Sequence, residues 1–213
     1  MNITIFGAAG DVGTRIVDEA LARGHEVAGV VRDKVQFDKL STKVRCVVAD
    51  ASDPEQVRRA AHGQDLIISA VRPPEGEEDA MISLTRALLD GAAVAGVRIL
   101  LVGGAARLLL PDGGGETVLS AADFLPASIV AIARASQAQY ELCLGETRAA
   151  WTYLSPPGML EPGERTGRYR LGADTLLVDE GGVSRISMED LAVAMLDEAE
   201  APKHVRRAFT VGY

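Results

Sequence analysis

The sequence predicts an α/β fold: a doubly wound parallel sheet flanked by helices, with a small excursion near the C-terminus. Two observations carry this. From Ile3 to Gly104, short apolar runs alternate with segments of helical period. The first run is followed at once by three evenly spaced glycines, Gly7, Gly10 and Gly13, which open a helical segment. Strands and helices alternating at this pace make a parallel sheet joined by right-handed crossovers.

The elements follow in order. "ITIF" is a short apolar run ending in glycine, which reads as a buried strand. In "DVGTRIVDEALARG" the residues Val12, Ile16, Val17, Ala20 and Leu21 share one helical face, and Gly24 is the stop. "HEVAGVV" and "VRCVVAD" are the second and third strands, and the polar "DKVQFDKLST" between them is partly helical. "DPEQVRRAAHG" is a short helix with Asp53 as N-cap and Pro54 at the first helical position. "DLIISAV" is a fourth strand, "EEDAMISLTRALLDGAAVAG" a long helix and "VRILLVGG" a fifth strand.

Beyond Gly104 the alternation loosens. "LLLPDGGGETV" reads as a loop, "SIVAIARASQAQYELCLGE" as a long helix, and "AAWTYLSPPG" as a sixth strand running into a double proline. "EPGERTGRYRLGADTLLVDEGG" is expected to be an excursion with a hairpin. "SMEDLAVAMLDEAE" is a helix opened by a capping box, Ser187 with Asp190 three residues on, and "RRAFTVGY" is a closing strand. No internal repeat or linker interrupts the 213 residues, so one domain is expected over 1–213.

A strand, then G-x-x-G-x-x-G, then a helix, is a dinucleotide-binding turn. Gly7 allows the tight turn out of the strand, Gly10 lets backbone amides approach a pyrophosphate, and Gly13 lets the helix pack closely on the sheet. The whole turn, including Ala9, Asp11 and Val12, is then expected at the pyrophosphate, where the helix N-terminus offers free N–H groups. A carboxylate at Asp11 costs electrostatic energy there unless it points outward. At the end of the second strand, an acidic residue suits the ribose hydroxyls of NAD and an arginine the 2′-phosphate of NADP. The sequence reads Val31-Arg32-Asp33. Arg32 comes first and favours NADP, while Asp33 keeps NAD open.

Ligands of parallel sheets bind at the C-terminal strand ends. Those ends are Asp50-Ala51, Ser69-Ala70-Val71-Arg72 and Gly103-Gly104. Asp50 could accept a hydrogen bond from the adenine amino group, and Gly103 and Gly104 would leave space beside the nicotinamide. Pro156, Pro157 and Gly158 after the sixth strand could present backbone to the carboxamide. Each of the small residues could equally be ordinary turn chemistry. Arg165, Arg168 and Arg170 could attract an acidic substrate or a flavin phosphate, but Glu161 and Glu164 beside them favour a solvated hairpin of mixed charge.

Composition narrows the partners. Apolar residues make up 47% of the chain and the net charge is -8. The lysines, Lys34, Lys39, Lys43 and Lys203, form no basic face, so nucleic acid is excluded as a general partner. No apolar run reaches membrane length, and no basic segment precedes a cleavable apolar core. A cytoplasmic monomer or homodimer acting on a small molecule is expected. Cys46 and Cys143 fit no metal or redox spacing and are expected as buried reduced thiols. His25, His62 and His204 sit in polar turn or terminal segments, away from the strand ends.

The pieces "GAAGDVG", "ARGHEVAGVVRD", "LLVGGAA", "WTYLSPPGMLEPGERTGRYRLG", "LLVD", "SRISMEDLAVAMLDE" and "RRAFTVGY" span nearly the whole chain. In them the sequence resembles the atypical short-chain dehydrogenase/reductases, particularly the NADH-flavin reductases and the proteins like biliverdin reductase B. The resemblance implies a Rossmann-type fold, a nicotinamide cofactor, and a substrate pocket over the nicotinamide covered by the segment after the sixth strand. The main group of that superfamily uses Tyr-x-x-x-Lys, in which the tyrosine donates a proton. Here Tyr140 is followed four residues later by Leu144, Tyr153 by Pro157 and Tyr169 by Ala173, and Tyr213 ends the chain. Relatives of the flavin-reductase branch often carry serine after the fifth strand, whereas "GGAARL" places Arg107 there. Tyr140 is the one catalytic candidate, with a packing role as its alternative.

The missing donor selects the chemistry. A ketone needs a proton at its oxygen, whereas the isoalloxazine of a flavin accepts the charge itself and takes a proton from solvent, so positioning suffices. The expected function is hydride transfer from NAD(P)H to a flavin, quinone or similar conjugated acceptor. Its alternatives are an NADP-binding sensor without turnover, as in the NmrA-like regulators, and an epimerase or isomerase that recycles its cofactor.

Overall fold

The computed structural model describes residues 1–112 and 114–213. The part of the loop "LLLPDGGGETV" at position 113 lies outside the described residues. Six parallel strands come in sequence: β1 (Asn2–Phe6), β2 (Glu26–Val31), β3 (Arg45–Val48), β4 (Leu66–Ser69), β5 (Arg98–Val102) and β6 (Trp151–Ser155). Three short strands follow, β7 (Met159–Glu161), β8 (Arg170–Gly172) and β9 (Arg185–Ser187), before the closing strand β10 (Arg207–Gly212). The helices are α1 (Asp11–Ala22), α2 (Pro54–Ala61), α3 (Ala80–Ala95), α4 (Ala127–Gly145) and α5 (Met188–Glu200). The main sheet has the order β3-β2-β1-β4-β5-β6-β10-β8. Every neighbouring pair in it is parallel except β10 with β8. This is a Rossmann-type α/β fold, and the strand order reverses between β1 and β4, where such sheets bind ligands.

Pleating divides the core between two faces. Ile3 and Ile5 of β1 join Ile16, Val17, Leu191, Leu196 and Phe209 on the side of α1 and α5. Phe6 joins Ile67, Leu88, Leu101, Trp151 and Tyr153 on the side of α2, α3 and α4. Thr4, buried on that second face, donates its hydroxyl to the Ala60 carbonyl at 2.9 Å, which satisfies a polar group among apolar neighbours. Local signals placed the helices as their chemistry requires. Asp53 accepts from the amides of Glu55 and Gln56 ahead of Pro54. Gly24, at φ 78°, follows α1, and Gly96 in the left-handed region ends α3.

Three expectations are corrected. The excursion after β6 contains no hairpin of its own among the described residues. Its strand β8 pairs antiparallel with β10, while β7 pairs in parallel with β9. β8 joins the edge of the main sheet while β7 and β9 make a separate two-stranded sheet, pairings between segments distant in sequence that a local pattern does not reveal. The capping box is only half made: Ser187 accepts from the Asp190 amide at 3.0 Å, but the Asp190 carboxylate faces Thr166, the Gly167 amide and the Tyr213 hydroxyl instead. Finally, Cys143 is buried but Cys46 is exposed, because β3 is the sheet's outer strand and only β2 covers it. Among the described residues, no helix is long and apolar enough to cross a membrane, and no three His, Cys, Asp or Glu side chains gather as a metal site.

Candidate functional site

The glycine turn links β1 to α1 at the point of strand-order reversal. Gly7 takes φ 75°, a conformation that side chains resist. A Cβ on Gly13 would lie 1.9 Å from the Gly7 carbonyl oxygen, so helix and turn touch backbone to backbone. A Cβ on Gly10 would meet only that same oxygen, at 3.3 Å, leaving the outer side of the turn open. No side chain caps α1, and its first internal bond runs from the Thr14 amide to the Gly10 carbonyl at 2.9 Å. The amides of Asp11, Val12 and Gly13 therefore lack helical acceptors. An open glycine cradle beside three free amides at a positive helix end fits a pyrophosphate. The Asp11 side chain is exposed, and the Arg15 guanidinium donates to its carbonyl at 3.0 Å.

At the tip of β2, Arg32 and Asp33 are both exposed. Asp33 is the N-cap of a 3₁₀ turn over Lys34–Lys39 and accepts from the Val35 amide at 3.0 Å. At the end of β3, Asp50 is exposed with one carboxylate oxygen taking the Ser52 amide and hydroxyl at 2.8 and 2.7 Å. Ala51 packs into the core, and Ser69, 2% exposed, turns inward. Their side chains are shut off from a ligand.

Beyond Val12 a cleft of about 1100 Å³ opens over the ends of β4, β5 and β6. It brings together Val12, Ala70, Val71, Arg72, Gly103, Gly104, Pro156 and Pro157, all expected from the sequence. Its outer wall comes from the loop before α4, with Val118, Phe124 and Leu125, and from the excursion, with Leu176 and Ser184. Arg107 fastens the two parts of this wall. It donates to the Ser155 hydroxyl at 2.8 Å, to the Asp174 carboxylate at 2.6 Å and to the Ala173 carbonyl at 2.8 Å. Leu176 also donates its amide to the Leu109 carbonyl at 2.8 Å. Arg72 and Asp112 are the charged side chains on the cleft surface among the described residues.

Two expectations about this surface change. Gly103 and Gly104 line the cleft, but the space their missing side chains leave is filled from within. A Cβ on Gly103 would fall 1.9 Å from the Tyr153 ring, and one on Gly104 would fall 2.5 Å from the Ser136 hydroxyl. Tyr140 does not line the cleft. Its ring lies 5.3 Å from that of Tyr153, under the Arg107 guanidinium at 4.9 Å, which is a packing role. Tyr153 itself is buried, donating to the Ser136 carbonyl at 3.0 Å and accepting the Gly104 amide at 3.1 Å. Burial pushes its phenol well above the ordinary range. Arg165 is bound to Glu19 at 2.6 Å and Arg170 to the Val178 and Tyr213 carbonyls, and neither they nor Arg168 reach the cleft.

Sequence reading missed the inner wall. Ile129, Ile132, Ala133, Ser136 and Gln139 of α4 line the cleft. Their spacing of three and four residues was a usable signal, since it places them on one helical face. Ser136 and Gln139 are the polar members of that stripe, and both are buried.

Residues 7–199 match the family model described as NAD(P)H-binding. The chain is 34% identical over 216 residues to the YwnB protein of Bacillus subtilis, across 99% of this chain and 98% of that one. Among solved structures it is similar to a "putative epimerase" from Bacteroides thetaiotaomicron, with 38% identity, a TM-score of 0.91, and coverage of 100% and 96% of the two chains. It is also similar to a "putative NADH-flavin reductase" from Streptococcus pneumoniae, with 27% identity, a TM-score of 0.88, and coverage of 100% and 99%.

Proposed function

Because the chain belongs to the NAD(P)H-binding family, we propose that it is an NADPH-preferring oxidoreductase that reduces a flavin, quinone or similar conjugated acceptor. One observation carries the reading: a large, mainly apolar cleft adjoins the glycine turn and presents no tyrosine, lysine or histidine among its described lining residues. The similar Streptococcus protein, described as a "putative NADH-flavin reductase", agrees with it.

Each half of the site has a separate task. The amides of Asp11, Val12 and Gly13 hold the pyrophosphate, and Arg32 holds the 2′-phosphate. The exposed carboxylate of Asp50 meets the adenine edge. When bound, the reduced nicotinamide supplies the hydride. Val102, Pro156 and the α4 stripe exclude water and hold a flat acceptor in place, so that orientation supplies the acceleration. The acceptor's own ring takes up the charge, and solvent at the open mouth supplies the proton. An epimerase that recycles its cofactor, the name carried by the Bacteroides relative being "putative epimerase", needs a base at the substrate hydroxyl that loses its proton as the carbon gives up its hydride, and Asp112 is the one carboxylate among the described lining residues.

The test follows the absorbance of NADPH, then NADH, with and without FMN or menadione. Acceptor-dependent loss of NADPH that scales with protein establishes the reductase. Tight NADPH binding with no consumption by either acceptor overturns it in favour of a cofactor sensor.

A further inference from the structure

The outer wall of the cleft has a core of its own. Leu108, Val118 and Leu176 are buried together, with Ala105, Leu110 and Leu125 packed against them, apart from the cores on the two faces of the sheet. Backbone hydrogen bonds stitch three segments of the wall side by side. The Val118 amide donates to the Leu108 carbonyl at 2.8 Å, and the Leu110 amide to the Glu116 carbonyl at 2.9 Å. On the other side, the Leu109 amide donates to the Asp174 carbonyl at 2.7 Å, and the Leu176 amide to the Leu109 carbonyl at 2.8 Å. Leu109 thus pairs antiparallel with Thr117 and in parallel with Thr175, and two loops distant in the chain become one ribbon. Leu110, Val118 and Leu176 of this ribbon line the cleft. Arg107 bolts it down. Its guanidinium, 5% exposed, reaches Ser155 at the end of β6 and lies over the Tyr140 ring of α4, while its other nitrogens hold Ala173 and Asp174. The Asp174 carboxylate is 67% exposed. A pair that opens to water on one side is weak and is screened by salt.

The geometry points to a lid: the ribbon opens and shuts over the cleft as one body, with Arg107 as its bolt, and its opening widens the mouth for the acceptor. The stitching through Leu109 makes the two loops move together. The ribbon carries its own core with it, so opening costs chiefly the Arg107 bond to Ser155 and the contact with Tyr140. Asp174 holds the guanidinium fork toward Ser155, so the exposed carboxylate sets how firmly the bolt is seated. A unit with a small core and one such fastening opens ahead of the molecule as a whole. The lid itself needs no reaction, and the passage of an acceptor through it rests on the reductase reading.

Amide hydrogen exchange of the whole protein, read by NMR, tests the lid. The Leu109, Leu110, Val118 and Leu176 amides are expected to share one opening equilibrium, well ahead of Ile68 and Leu100, which are buried in the sheet. Arg107→Lys keeps the charge but cannot bridge three partners. It should speed all four ribbon amides about tenfold and leave Ile68 and Leu100 within twofold, whereas a merely structural loss would move both sets alike. Asp174→Asn, at an exposed position, is the milder variant and should speed the ribbon about threefold. About 0.5 M salt should do the same to the wild type and nothing further to Asp174→Asn. Ribbon amides that exchange only together with the sheet, or a variant that frees one loop without the other, overturn the lid. Stopped-flow quenching of riboflavin fluorescence with NADP⁺ present then reads the passage. Binding and release are both expected to quicken in Arg107→Lys, by a common factor. Unchanged rates in a variant whose ribbon opens faster remove the gate. Riboflavin that fails to bind counts against the reductase reading, and the exchange results still decide the lid.

Discussion

Arg32 and Asp33 stand side by side at the end of β2, and both are exposed. Asp33 accepts the Val35 amide on one carboxylate oxygen as the cap of the following turn, while Arg32 is the cation at the strand end. Replacing Arg32 by Ala is expected to weaken NADPH binding about tenfold, the scale of a hydrogen bond to a charged group, and to change NADH binding less than twofold. Calorimetric titration with both cofactors checks this, and an equal loss for each removes the assignment. The same residues show what could be read in advance. Gly7 and Gly13 were legible because turn geometry and helix packing each demand a missing side chain at a fixed spacing. Gln139 was not, because a glutamine in a helix announces nothing until its neighbours are known.

Among the elements, the strands and helices up to β5 were legible from alternation alone, since each buried run is bounded by a cap or a glycine. The excursion was not, because β8 finds its partner in β10 and β9 in β7, across long stretches of chain. Position in the sheet also decides chemistry that composition leaves open. Cys46 lies on the outer strand β3, exposed, while Cys143 is buried on α4 and its thiol is pushed up to about 12 by that burial. The native protein is expected to react with one equivalent of a thiol-specific disulfide reagent near pH 8, and with two after denaturation. Cys46→Ser should abolish the native reaction, and a surviving fast equivalent would mean that α4 opens.

Across the whole molecule, one carboxylate ties three parts together. Glu19 on α1, 5% exposed, accepts from Arg165 of the excursion at 2.6 and 2.8 Å and from Arg23 at 2.7 Å. Arg23 in turn reaches Asp197 and Glu200 on α5 at 2.8 and 2.9 Å. The Arg165 hydrogen bonds, aided by Arg23, hold the Glu19 carboxyl below its ordinary value. Its stabilisation is therefore present above the usual carboxylate range and is lost as pH falls through the lowered value. Glu19→Gln is expected to cost about 2 kcal/mol at neutral pH, roughly 4–8 °C in melting temperature. The gap between variant and wild type should close as the solution is acidified, which melting curves from pH 7 to 3 would show. A gap that widens in acid contradicts this role.

The two halves of the site are built to different tolerances, and that shapes how such a protein can diversify. The glycine turn admits no added atom at Gly13, since even one carbon meets backbone. The outer wall is two loops fastened to the sheet by the Arg107 guanidinium and to each other by the backbone of Leu109 with Asp174 and Leu176. Descendants can therefore lengthen, shorten or exchange those loops, and so reshape the cleft, while inheriting the glycine turn unaltered.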